Sequence, residues 1–321
     1  MTKSQAERKC LKRMDRKEQW MPALRRFAGS SDFSGTFLAL DLDGTALLED
    51  KGKVFISGSV EKGVKALHDL NVPIVLNTLR FPLSVIKTIG HTWYQIADAP
   101  ILTVLLNGSA LGSIKCEGDD LRYEEIAAHP LGNHEIQAML DGITQLAKAG
   151  IDDLLLFFYP RDWQQGETLW TPSAGKVSEL KKKFVSASRV ISGSVQKLEE
   201  ELLKREICMT SLFIDRPEDK VMAYQHAKRS SFFTAKGVNK ASGLREIAAR
   251  LSRAPSKALG AGDTEMDTFL SEVGFAVIVG KGKLSFRGRK ETVRVESPLE
   301  LGDLMLAYAE LLKEKGSPVA A

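Results

Sequence analysis

Residues 37–50, FLALDLDGTALLED, set Asp41 and Asp43 one residue apart at the end of an apolar run and follow them with Gly44 and Thr45. The run FLAL reads as a buried strand, because it is short, apolar and closed by polar residues. Side chains alternate along a strand, so both aspartates would leave by the same face, but glycine lets the chain turn sharply just beyond them. Two carboxylates this close repel, and the stretch needs something nearby that makes both tolerable.

Outward from this stretch, apolar runs alternate with helical periodicities, the rhythm of an α/β protein with a parallel sheet. Ser57 or Ser59 can cap a helix lined by Val60, Val64 and Leu67, and VPIVLNT (72–78) is the next strand. A helix restarts after Pro82, and ILTVLLNG (101–108) is a third strand that closes on Asn107 and Gly108. Ligands of open parallel sheets sit beyond the carboxyl ends of the strands, so residues 41–45, 78–80 and 107–108 are expected to share one crevice. Between about 110 and 230 the pattern changes to charged surface helices with fewer strands, which predicts an α+β domain inserted into the sheet domain. The first rhythm then returns with KGVNKASGLREIAARL, the strand SKALGAGD, a helix over EMDTFLSEVG, the strand FAVIVG and a last helix over PLELGDLMLAYAELLKEKG. The expected division is an extension over 1–35, a Rossmann-like core over 36–109 and 230–321, and an inserted α+β cap over 110–229.

Composition narrows the class. With 43% hydrophobic and 27% charged residues the chain is ordinary for a soluble globular protein. Its apolar runs fall far short of the roughly 20 residues that span a bilayer, and no signal-peptide pattern opens it, so it reads as cytoplasmic. Cys10, Cys116 and Cys208 are scattered and read as reduced thiols. His68, His91, His129, His134 and His226 show no metal-ligand spacing. The net charge of +4 is unevenly placed: residues 1–31 carry nine Lys or Arg against three Asp or Glu, leaving a balance of −2 for the rest. That basic arm has Leu11, Met14, Met21, Leu24 and Phe27 at near-helical spacing. Two readings stand side by side: an amphipathic helix that packs on the body or on a second copy of the chain, and a solvated extension. It carries no recognised nucleic-acid or membrane motif, so neither partner is expected.

The polar strand ends suggest chemistry. A carboxylate can serve as nucleophile in phosphoryl transfer while a neighbour carries the proton, and a divalent cation lets the anionic nucleophile approach the anionic phosphate. Magnesium asks for several hard oxygens, so a further carboxylate must come from elsewhere in the chain. GDTEMD supplies Asp263 and Asp267 after a strand. A lysine and a hydroxyl would hold the phosphoryl oxygens; Lys240, at a helix start, and Thr78, at a strand end, are suited to this, with Lys236 the rival lysine.

These four clusters, DLDGT, NTLR, KGVNKASGL and GDTEMD, occur in an order that resembles the haloacid dehalogenase superfamily of phosphohydrolases, in particular its Cof-type, sugar-phosphatase-like branch. The resemblance covers about 36–108 and 230–285. It implies Asp41 as nucleophile and Asp43 as general acid and base. It implies Thr78, Leu79 and Lys240 around the phosphate. Mg2+ would be held by Asp41, the backbone carbonyl of Asp43 and Asp263, with Asp267 a further ligand or a support. Only 34 residues separate Asp43 from Thr78, whereas 161 separate Thr78 from Lys240. In this superfamily an insertion at the second place marks members whose cap screens the site from macromolecules, so a small phosphate ester is the expected substrate. LLNGSAL also matches a segment that leads into that cap. Two positions depart from the family pattern: Leu79 stands where TGR has glycine, and Met266 where GDxxND has asparagine.

Arg80, Asn107 and Arg161 are candidate substrate contacts, the last within FFYPRDWQQGETLW, where Tyr159, Asp162, Trp163 and Trp170 could grip a hydroxylated ligand or pack the cap. The expected activity is Mg2+-dependent hydrolysis of a sugar or polyol phosphate through an aspartyl-phosphate. A sugar phosphomutase on the same scaffold and a non-catalytic binding module are the rival readings.

Overall fold

The computed structural model describes all residues except 1–2, 31–34, 51–52, 152, 215–229, 286 and 317–321. They divide between a first unit, Met1–Thr78, Thr88–Thr103 and Leu244–Ala321, and a second, Leu79–Lys87 and Val104–Gly243. His226 and the expected end of the inserted domain at residue 229 lie outside the described residues.

The chain opens with helix α1 (Lys3–Ser30), followed by β1 (Leu38–Leu40), the hairpin β2 (Leu47–Asp50) and β3 (Lys53–Ile56), α2 (Gly58–His68), β4 (Ile74–Asn77), α3 (Pro82–Val85), α4 (His91–Ala97) and β5 (Ile101–Leu105). Ser57 caps α2 by accepting the Val60 N–H at 3.3 Å. Next come β6 (Ala110–Glu117), β7 (Asp120–Ala128), α5 (Asn133–Lys148), β8 (Leu155–Pro160), β9 (Thr168–Thr171), α6 (Val177–Lys183), β10 (Arg189–Ser192), α7 (Val195–Leu203), β11 (Ile207–Phe213) and β12 (Ser230–Phe233). The chain ends with α8 (Lys240–Arg250), β13 (Leu259–Gly262), β14 (Phe275–Val279), β15 (Glu291–Val295) and α9 (Pro298–Gly316).

In the first unit the strand order is β15-β14-β13-β1-β4-β5. β1 pairs in parallel with both β4 and β13, and β14 in parallel with β13 and β15. β1, β4, β13 and β14 are buried throughout, as strands covered on both faces must be. Helices α2 and α9 cross closely because Gly63 and Gly302 lie at the contact: a methyl on Gly63 would stand 2.7 Å from the Met305 Cβ. The basic arm is helical and packs on α9 and β15. Trp20, Leu24 and Phe27 are buried, with Phe27 against Phe275 and Tyr308. Met21 is half-buried, and the side chains of Leu11 and Met14 lie outside the described residues. Of the two readings of the arm, the part over 16–30 follows the packed one.

In the second unit β6 and β7 form an antiparallel hairpin, and a separate five-stranded sheet runs β10-β9-β8-β11-β12. β9 and β10 are parallel, and β8 is antiparallel to β9 and β11. Leu156, Phe158 and Trp170 of this sheet share a core with Ile136, Leu140, Leu198 and Leu202 of α5 and α7. On the other face Phe157 meets Phe184 and Phe213, and Tyr159 meets Phe81.

Two expectations are corrected. The region 110–230 is rich in strands, not poor in them; β7 carries charges on its exposed face, and β9 and β10 span four residues each, so their composition imitates helix surface. EMDTFLSEVG holds only a 3-10 turn over Thr268–Ser271. Asp267 ties its carboxylate back to the backbone of Asp263 and Thr264, which closes the loop before an α-helix can start. No helix among the described residues is long and apolar enough to cross a membrane.

Candidate active site

Three neighbouring parallel strands end in polar residues at the same edge of the first unit's sheet. Leu40 is level with Leu76 of β4 and with Ala261 of β13, so the chain leaves β1 at Asp41, β4 at Thr78 and β13 at Asp263. Parallel pairing is what makes this convergence unavoidable, since all three carboxyl ends point one way. The Asp41 N–H donates to the Ala261 carbonyl at 3.0 Å, extending the ladder by one residue past the strand.

The chain then turns as Gly44 predicts. Its φ is +80°, and the Leu42 carbonyl accepts from the N–H groups of Thr45, Ala46 and Leu47 at 3.3, 3.0 and 2.9 Å. Asp41 is buried and Asp43 half-buried. Gly44 has a second task, because a methyl group there would collide with the Asp263 carboxylate. Gly262 and Gly282 do the same work nearby: a Cβ on Gly262 would stand 2.6 Å from the Asp267 carboxyl carbon, and one on Gly282 would stand 2.8 Å from the Asp263 carbonyl oxygen.

Carboxylate oxygens of Asp41, Asp263 and Asp267 lie within 4.8 Å of one another. Such a set of hard, anionic oxygens suits a hard cation, whose charge would offset their mutual repulsion. Each acid is also positioned by the chain. Thr45 Oγ1 donates to Asp263 Oδ1 at 3.1 Å. Asp267 Oδ2 accepts the N–H groups of Asp263 and Thr264 at 2.8 and 2.9 Å, so this fully buried residue anchors the loop that carries Asp263. Met266, the departure from the family pattern, contributes its N–H to Thr264 Oγ1 at 3.3 Å.

Thr78 is buried and belongs with Asp41, Asp43, Asp263 and Asp267 to the first unit, whereas Leu79, Arg80, Asn107, Arg161 and Lys240 belong to the second. There Lys240 opens α8 behind Asn239, whose Oδ1 accepts from Ala241 N and Ser242 N at 2.9 and 3.0 Å while Ser242 Oγ accepts the Asn239 N–H at 2.9 Å. This reciprocal cap holds the first turn rigidly. Lys240 is buried and the rival Lys236 exposed. Gly108 fits against the Asn239 backbone, where any side chain would collide. Leu106 and Asn107 before it both have left-handed φ values, 51° and 56°, a strained backbone for a leucine. The Arg80 carbonyl accepts the Leu106 N–H at 3.3 Å; its side chain is fully buried and reaches Ser84 Oγ at 3.3 Å.

Arg161 is differently employed. Its guanidinium donates to both Glu125 oxygens, at 2.7 to 3.1 Å, and to Glu206 at 2.8 Å, and these partners raise its pKa further. Thr45, Asn239 and the space-making Gly262 and Gly282 went unnoticed as site residues in the sequence. Thr45, Asn239 and Gly262 had a local signal, lying inside DLDGT, KGVNKASGL and GDTEMD; Gly282 had none.

The family model for haloacid dehalogenase-like hydrolases matches residues 38–286. No curated protein sequence matches the chain. Among solved structures, a sugar phosphatase of HAD subclass IIB, BT4131, is 17% identical over 88% of this chain and 99% of its own, with a TM-score of 0.57. The phosphatase BT1666 from Bacteroides thetaiotaomicron is 19% identical over 89% and 97%, with a TM-score of 0.60. A haloacid dehalogenase-like hydrolase from B. subtilis is 14% identical over 85% and 98%, with a TM-score of 0.59. At these identities the likeness speaks for the shared fold.

Proposed function

Because the chain belongs to the haloacid dehalogenase-like hydrolase family, we propose that it is a Mg2+-dependent phosphatase of a small phosphorylated metabolite, a sugar or polyol phosphate. The observation that carries this reading is the meeting of Asp41, Asp263 and Asp267 at the ends of parallel strands. Asp41, the backbone carbonyl of Asp43 and Asp263 would hold Mg2+, which when bound supplies positive charge that lets a carboxylate and a phosphate approach. Asp267 keeps the Asp263 loop in place.

Asp41 attacks phosphorus and becomes an aspartyl-phosphate. Asp43 first protonates the leaving alcohol and then takes a proton from the water that hydrolyses the intermediate. Thr78, the backbone at Leu79 and Lys240 receive the phosphoryl oxygens, and the capped α8 terminus supports Lys240 in that task. Residues 110–229 act as the cap that restricts the site to small esters, with Arg80 and Asn107 as further contacts. Arg161 serves as a clip between Glu125 and Glu206, because its donors are already engaged there.

Phosphate release from a panel of aryl and sugar phosphates with Mg2+ tests the reading. Asp41→Asn should abolish turnover, and full activity in that variant would sink the proposal. Asp43→Asn should bind the metal yet lose most turnover.

A further inference from the structure

Residues 281–294, KGKLSFRGRKETVR, contain six basic residues and one acidic residue. Half of the basic side chains are accounted for. Arg289 pairs with Glu272, Arg294 donates to the Gly280 carbonyl at 2.6 Å, and Lys290 lies over the Phe27 ring and reaches Ser30. Lys281, Lys283 and Arg287 are exposed and make no hydrogen bond or ion pair among the described residues.

Their position matters. The segment follows β14, which pairs in parallel with β13, so it leaves the sheet at the edge where Asp263 sits. Gly282, between the two lysines, lies against the Asp263 carbonyl. Ser285 donates through N and Oγ to the Glu265 carboxylate at 2.6 and 2.8 Å. Glu265 is thus held by neutral donors, and Lys281 and Lys283 keep their charge available beside a cluster of carboxylates, whereas Arg287 precedes Gly288, which lies against Ala276 near the start of β14, away from Asp263.

We propose that Lys281 and Lys283 form an anion-binding arm next to the acidic site, and that the substrate carries a second anionic group, phosphate or carboxylate, which this arm receives. The inference rests on the phosphatase reading for its choice of substrate. Cations on flexible stems at the rim of a carboxylate-lined site offset the repulsion an incoming dianion would meet.

The test compares fructose 1,6-bisphosphate with fructose 6-phosphate, and 3-phosphoglycerate with glycerol 3-phosphate. Binding is measured calorimetrically in the Asp41→Asn protein, with and without Lys281→Ala/Lys283→Ala. The preference for the doubly anionic member of a pair should fall by about tenfold or more in the double variant, the scale of one lost charge-assisted contact. Lys281→Arg/Lys283→Arg should keep it. A drop confined to the bisphosphate pair assigns the arm to phosphate, and one confined to the glycerate pair assigns it to carboxylate. Equal affinity for both members in the parent protein, or a preference unchanged by the double variant, overturns the proposal. These binding results stand whether or not the wild-type protein releases phosphate, so a failed phosphatase reading would be seen separately as an inert ester panel.

Discussion

Several buried polar groups of the first unit are tied to firm partners, whereas among the described residues more of those in the second are short of one. In the first, Trp20 Nε1 donates to Glu300 at 3.2 Å, Thr36 and Tyr308 share a hydrogen bond of 2.6 Å, and Asp267 takes two backbone N–H groups. In the second, Glu167 Oε1, Trp170 Nε1 and Ser211 Oγ have no hydrogen-bond partner among the described residues although all three residues are buried. A satisfied buried group is costly to remove, whereas an unsatisfied one is already costly to keep. Groups such as Glu300, Thr36 and Asp267 therefore stabilise the first unit and organise its site, while the unpartnered atoms of Glu167, Trp170 and Ser211 are a cost to the second.

Four substitutions probe this contrast. Trp20→Ala should cost the most, about 3–5 kcal/mol in chemical denaturation, because it empties a buried aromatic site and strips Glu300 of a donor. Asp267→Ala should release the Asp263 loop and weaken Mg2+ binding by roughly 10–100-fold in titration, the usual range for residues that support a metal ligand. In the second unit, burial holds the Glu167 carboxyl above the usual carboxylate range, with Ser186, Tyr159 and Lys87 partly opposing. A carboxyl whose folded pKa is raised loses stability as pH climbs from its unfolded pKa through its folded one. Melting temperatures of wild type and Glu167→Gln should therefore diverge with rising pH, the variant being the more stable at the alkaline end and the gap closing toward acid. Ser211→Ala should lie within about 0.5 kcal/mol of wild type, or above it, since it deletes a hydroxyl that has no partner. A loss in Ser211→Ala comparable to that in Trp20→Ala would break the contrast between the units.

The same contrast explains what could be read in advance. β1, β4, β13 and β14 were recognisable because doubly covered parallel strands are uninterrupted apolar runs, and each of the first three stops at a polar residue of the site. β9 and β10 were not, since TLWT and RVIS are too short to show a period. Arg161 looked like a ligand contact because Glu125 and Glu206 lie 36 and 45 residues away along the chain. Trp20 gave no sign of its importance: its partner Glu300 is 280 residues distant.

Asp41, Asp43, the turn at Gly44 and the occurrence of a later GDTEMD are legible in local sequence, because a glycine conformation and a strand end are decided by neighbouring residues. That the carboxylates of Asp41, Asp263 and Asp267 come within 4.8 Å of one another was decided only by the tertiary structure. So was the use of Gly44, Gly262 and Gly282 as the space those acids occupy. Parallel pairing of β1 with β13 joins residues more than two hundred positions apart, and the room each carboxylate needs is set by atoms the local sequence cannot see.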